Sequence, residues 1–111
     1  MTRLTTHVLD QAAGRPAAGV RLRLYREGET DALADTFTNA DGRVDQPLLE
    51  GSDVAGRYVL VFSVGDYFAA NGQHQARFLD DVPVAFTLAD EAHYHVPLLV
   101  TPWAYSVYRG S

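Results

Sequence analysis

Six side chains have a type and setting that could do chemistry: His7, Arg43, His93, His95, Tyr108 and Ser111. Imidazole titrates nearest neutrality, so the histidines are where proton transfer or metal ligation would be sought. His93 and His95 stand two residues apart, and strand parity puts them on one face with Pro97 and Leu99. A zinc site usually takes three protein ligands; the sequence offers no clear third and contains no cysteine, so no metal is expected. Each group also has a plainer role. A single histidine on a strand is more often a surface or hydrogen-bonded structural group than a catalytic one. Arg43 after a turn is by default a solvated charge. Tyr108 is by default a packing aromatic, and Ser111 a frayed end. No Ser-His-Asp order or Gly-x-Ser-x-Gly elbow supports a serine hydrolase. Asn39 to Arg43 holds a single glycine, too few for a phosphate cradle.

The elements that must position these groups read as short strands. Leu4 to Asp10 starts the first, and Gln11 to Gly19, with Gly14, Pro16 and Gly19, is a loop. Val20 to Arg26 alternates, with Val20, Leu22 and Leu24 facing a core. A charged turn at Glu27 to Asp31 precedes a strand at Leu33 to Thr38. Asn39-Ala-Asp-Gly-Arg43 is a tight turn with Gly42 at positive φ. Val44 to Gln46 reads as a short edge strand stopped by Pro47. Gly56 to Val64 is nearly all apolar, as if covered on both faces. Asp66 should cap a helix over Tyr67 to Asn71 that Gly72 ends. A polar connection, Gln73 to Asp81, leads to strands at Val82 to Leu88 and, after an Ala89-Asp-Glu91 turn, at Ala92 to Val100. Thr101-Pro102 turns the chain into a last strand, Trp103 to Arg109, closing a hairpin. In that strand Ala104, Ser106 and Tyr108 share one face, and Trp103, Tyr105, Val107 and Arg109 the other. Pro97 deletes a ladder donor inside a strand that should be central, so it must meet a bulge or an unpaired position.

Seven or eight short strands separated by turns imply an all-β sandwich or barrel. At 111 residues the chain is one domain, 1–111, and 47% apolar content excludes intrinsic disorder. The net charge of −5, with arginines scattered singly, argues against nucleic acid. The apolar run Val59 to Phe62 is too short to span a bilayer, so no membrane partner is expected. The opening Met-Thr-Arg-Leu-Thr-Thr-His has no apolar signal region, which points to a cytoplasmic protein, or a periplasmic one whose leader has been removed. Residue types alone lead to a soluble β-sandwich of open function.

Three stretches taken together go further: Leu4-Thr-Thr-His-Val-Leu-Asp10 with Gly14-Arg-Pro-Ala17, Thr38-Asn-Ala-Asp-Gly-Arg43, and His93-Tyr-His-Val-Pro-Leu-Leu99 with the terminal Tyr108-Arg-Gly-Ser111. They resemble the 5-hydroxyisourate hydrolases of the transthyretin-like family over essentially the whole chain. The terminal Tyr-Arg-Gly-Ser is the specific signal, because it separates the enzymes from the carrier transthyretin. The resemblance implies a transthyretin-like sandwich of two four-stranded sheets with one short helix after the fifth strand. It also implies a homotetramer, a dimer of dimers, with sites in a channel between dimers lined by the first, seventh and eighth strands. His7, Arg43, His95 rather than His93, Tyr108 and Ser111 match the family's site, with His7, Arg43 and Tyr108 on the substrate. Thr101 and Val107 depart from the family's Ser and Thr, outside the proposed catalytic groups.

The implied reaction opens the ring of a small purine-derived substrate, 5-hydroxyisourate, at its N1–C6 bond. The product is 2-oxo-4-hydroxy-4-carboxy-5-ureidoimidazoline, a step of urate and purine breakdown, and no cofactor is implied. Water attacks C6 directly, the histidines handle protons, Arg43 holds oxyanion charge, and Tyr108 orients the ring. A non-catalytic carrier using the same channel is the second reading, and a structural sandwich the third. His, Arg, His and Tyr are more polar and titratable than a hormone-type pocket would be.

Overall fold

The computed structural model describes residues 1–72, 78–89 and 92–110. Ser111, most of the Gln73 to Asp81 connection and the end of the Ala89 to Glu91 turn lie outside them. The elements run β1 (Thr2–Asp10), β2 (Arg15–Pro16), β3 (Arg21–Arg26), β4 (Ala34–Phe37), β5 (Leu49–Gly51), β6 (Gly56–Ser63), α1 (Val64–Ala70), β7 (Asp81–Leu88), β8 (His93–Val100) and β9 (Tyr105–Val107).

Two sheets face each other. One runs β4-β3-β6-β7, all antiparallel. The other runs β2-β1-β8-β9, with β5 also on β1. β5 pairs with Thr2 to Leu4 and β2 with Leu9 and Asp10, so the two short pieces share β1 end to end. The second sheet is thus four positions wide, although it contains five strands. β1 and β8 run parallel, with Thr5 opposite His95 and His7 opposite Pro97.

Alternation decides which groups face the core. Leu4, Val8, Leu22, Leu24, Tyr58, Leu60, Phe62, Leu98 and Val100 are fully buried between the sheets. Burying each such side chain contributes roughly 1.5–3 kcal/mol. Buried hydroxyls are paired: Thr6 donates to the Val96 carbonyl at 2.7 Å, and Thr38 to that of Ala17 at 2.6 Å. The odd positions of β1 and β8 therefore form the outer face of their sheet, carrying Thr5 and His7 beside His93 and His95.

Several elements depart from the sequence reading. The helix begins at Val64, not Tyr67, and Asp66 lies in its first turn without acting as its cap. The chain passes directly from β6 into α1 through Ser63, which makes no side-chain cap bond. Gly72, at φ 82°, does follow the helix end. Val44 to Gln46 form no strand; the edge strand is β5, beyond Pro47, where Leu48 N–H donates to the Leu4 carbonyl and returns the chain to β1. β6 alternates: Val59 and Val61 are only half-buried, because their outer face is shared by Tyr25, Arg23, Pro83 and Ala85. Pro83 sits on β7, an edge, where a missing donor is harmless.

The last strand is short. β9 pairs Val107, Ser106 and Tyr105 with Leu98, Leu99 and Val100, and pairing resumes only at Gly110, which bridges His95. Gly110 N–H donates to the His95 carbonyl, so odd positions of β8 direct their ladder groups toward the terminal segment. Pro97, of the same parity, has no N–H to donate, and the ladder lapses opposite it. That is the unpaired position its sequence setting demanded.

Candidate functional site

The outer face of the β1–β8 ladder carries an open groove of about 360 Å³, lined by Arg3, Thr5, Arg43, Val44, His93 and His95. His7 stands at its flank, its ring centroid 6.5 Å from that of His95 and tilted by 35°. Parity alone brings these groups together: Thr5 and His7 are alternate residues of β1, and His93 and His95 alternate residues of the strand beside it.

Arg43 arrives by a different route. Asn39 organises its turn, accepting at Oδ1 from the Asp41 and Arg43 N–H groups at 2.9 and 3.2 Å. Asn39 N–H donates to the Arg43 carbonyl at 2.7 Å, and Gly42 N–H to the Asn39 carbonyl at 2.9 Å. Gly42 adopts φ 75°, open to glycine and strained for other residues. A Cβ there would also meet the Val8 carbonyl oxygen. That oxygen is close because the turn is fastened to β1: Val8 N–H donates to the Gly42 carbonyl at 2.8 Å. The result is an isolated bridge pairing Arg43 with His7.

The electrostatics follow from this packing. Burial, then the Arg43 guanidinium, hold His7 below its usual 6.5, although the Asp41 carbonyl and carboxylate pull it upward. His95 is also lowered, first by burial and then by Arg43, His7 and His93. Both imidazoles are therefore neutral near pH 7 and able to accept a proton. A guanidinium beside them, carried on a backbone that the turn holds in place, suits a developing oxyanion. Among the described residues, no group of three or more His, Cys, Asp or Glu is placed to hold a metal ion.

Of the expected site residues, the structure brings His7, Arg43 and His95 together. Tyr108 is about half-exposed and lines a different groove, of about 250 Å³, with Val84, Phe86, Tyr94 and Val107. Ser111 lies outside the described residues. Sequence reasoning passed over Thr5, whose hydroxyl lies 2.8 Å from His95 Nδ1 and 3.1 Å from His93 Nε2. Its parity with His7 was the available signal. It also passed over Gly110, whose missing side chain lets the terminal segment lie on the His95 ring. No local pattern marks that contact, because it joins residues paired only by the fold.

Residues 4–110 match the model of the HIUase/Transthyretin family. A 5-hydroxyisourate hydrolase 2 of Rhizobium meliloti is 56% identical, the alignment covering 98% of this chain and 96% of that protein. The solved 5-hydroxyisourate hydrolase of Klebsiella pneumoniae superposes with a TM-score of 0.87 at 40% identity, covering all of both chains. Sea bream transthyretin in complex with thyroxine superposes with a TM-score of 0.86 at 26% identity, covering 97% of this chain and 94% of that one.

Proposed function

The chain belongs to the HIUase/Transthyretin family, and from that premise we propose that it hydrolyses 5-hydroxyisourate to 2-oxo-4-hydroxy-4-carboxy-5-ureidoimidazoline. The observation that carries the reading is the convergence of His95 and Arg43 in one groove with His7 at its flank, both imidazoles held below their usual pKa. A carrier site for an apolar ligand would be lined mostly by apolar groups; beside Val44, this one is lined by Arg3, Thr5, Thr6, Arg43, His93 and His95.

The mechanism uses water as the nucleophile. A histidine of the His7–His95 pair removes one of its protons as the oxygen bonds to C6. Charge grows on the former carbonyl oxygen, and Arg43 stabilises it. The tetrahedral intermediate collapses, the C6–N1 bond breaks, and an imidazole N–H returns a proton to N1. Tyr108 orients the ring and Ser111 completes the terminal motif in the assembled site.

That assembly is a homotetramer, a dimer of dimers, with the grooves facing a channel between dimers. The free edges support further association. β9 and β7 each end a sheet, and Trp103, Tyr105 and Tyr108 stand exposed near the β9 edge. No helix among the described residues is long and apolar enough to cross a membrane.

The test generates 5-hydroxyisourate in place from urate with urate oxidase and follows its absorbance decay. Decay faster than the spontaneous rate, in proportion to added protein, is expected. Decay at the spontaneous rate would remove the hydrolase reading and leave the carrier.

A further inference from the structure

Thr5 stands directly opposite His95 in the parallel ladder, and its single hydroxyl touches two histidines. Oγ1 lies 2.8 Å from His95 Nδ1 and 3.1 Å from His93 Nε2. A threonine hydroxyl has one proton to give and lone pairs to accept with, while a neutral imidazole donates from one nitrogen and accepts at the other. The hydroxyl can therefore bond both rings by accepting from one and donating to the other. If His95 donates from Nδ1, Thr5 donates to His93 Nε2, and both rings carry their proton on Nδ1. If His93 donates from Nε2, Thr5 donates to His95 Nδ1, and both carry it on Nε2. A mixed pair either forfeits a contact or makes both rings donate and turns the hydroxyl proton out of the cluster.

We propose that Thr5 is a positioning residue that joins His95 and His93 into one proton relay. His95 rests with its proton on Nδ1, aimed at Thr5, and presents a bare Nε2 as the base. This rests on the hydrolase reading above. When His95 Nε2 takes a proton from the attacking water, its Nδ1 proton passes to Thr5 Oγ1. The hydroxyl's own proton passes to His93 Nε2. His93, exposed at the β1–β8 rim, then sheds its Nδ1 proton to solvent. On collapse the sequence reverses. His95 Nε2–H protonates the departing N1, His93 recovers a proton from solvent at Nδ1, and its Nε2 proton returns through Thr5 to His95 Nδ1. The carboxylic acid formed at C6 then ionises, so no oxidant or further reactant is needed. The relay spares the half-buried His95 from holding a full positive charge beside Arg43.

The test uses the full chain with ¹⁵N-labelled histidine, comparing wild type, Thr5→Val, which keeps the shape and loses the hydroxyl, and Thr5→Ser, which keeps the hydroxyl. Long-range ¹H–¹⁵N correlation at pH 8 reads the tautomer of each ring without any turnover. In wild type and Thr5→Ser, both rings should carry the proton on Nδ1. In Thr5→Val the two tautomers should become independent, and kcat should fall about tenfold, the loss of one working hydrogen bond, with KM nearly unchanged. Thr5→Ser should restore most of kcat. Rings both protonated on Nε2, tautomers unmoved by Thr5→Val, or a full kcat in that variant would each overturn the relay. Wild-type protein with coupled tautomers and no effect on 5-hydroxyisourate decay would instead overturn the hydrolase reading.

Discussion

Gly110→Ala isolates the contact between the terminal segment and the His95 imidazole. A Cβ at residue 110 would lie 2.8 Å from His95 Cδ2 and 3.2 Å from Pro97 Cγ. Carbon atoms prefer roughly 3.5–4.0 Å, so the shortfall against the ring is on the order of 1 Å. The backbones cannot separate to relieve it without losing the 2.7 Å bond from Gly110 N–H to the His95 carbonyl. Pro97 is buried and its ring is rigid, so it cannot turn aside. Relief must come from rotation of the His95 ring, which draws Nδ1 away from Thr5. Gly110 is not among the glycines at positive φ, so alanine meets no backbone strain there and the contact alone is tested. A displacement of about 1 Å in a catalytic group lowers kcat/KM on the order of a hundredfold. The site is half-exposed, so the overpacking penalty should sit near the low end, about 1 kcal/mol. The assay is 5-hydroxyisourate decay beside a thermal melt of the same preparation. Full activity in Gly110→Ala would refute the argument that the terminal segment fixes His95.

Other outcomes follow from the same geometry. Burial and then Arg43 lower both histidines, so ¹H NMR titration of Arg43→Gln should find His7 and His95 moved up toward 6.5; unmoved values would contradict the Arg43 contribution. With folded values below 6.5, the unfolded chain binds protons first. Stability from these two groups is present above 6.5 and lost as pH falls through their folded values, so Tm should drop between pH 7 and pH 5, less so in His7→Gln. Tyr67 O–H donates to the buried Asp10 carboxylate at 2.7 Å, and burial, then Asp10, push its pKa up to about 12. Tyr67→Phe should cost about 1–3 kcal/mol, seen as a lower urea midpoint, while kcat/KM changes little. Gly42→Ala should both destabilise the chain and reduce activity, because the turn that carries Arg43 cannot stay on Val8; normal activity would show that Arg43 does not depend on that turn.

What the sequence revealed about the site was mostly parity. Alternation along Val20 to Arg26 identified Val20, Leu22 and Leu24 as core without ambiguity, and the same rule placed His93 and His95 on one face. The Asn39 to Arg43 turn was legible because asparagine and glycine do specific backbone work there. Boundaries were less legible. The helix starts three residues before the position read from Asp66, since the chain runs from strand into helix with no capping side chain to mark it. β5 depends on where the chain next meets β1, which no local pattern encodes, whereas Pro97 itself marked a break in its ladder. The roles of Thr5 and Gly110 were hidden for the same reason: each is defined by a residue some ninety or fifteen positions away in sequence, brought close only by the ladder.

Hydrolysis is proposed to take place in the groove of His95 and Arg43, with His7 at its flank. Its most direct test is kcat/KM of purified, folded Arg43→Ala on 5-hydroxyisourate generated in place. Removing the guanidinium that bears on both imidazoles, and that is proposed to hold the oxyanion, should lower kcat/KM on the order of a hundredfold or more. A value close to wild type would contradict it.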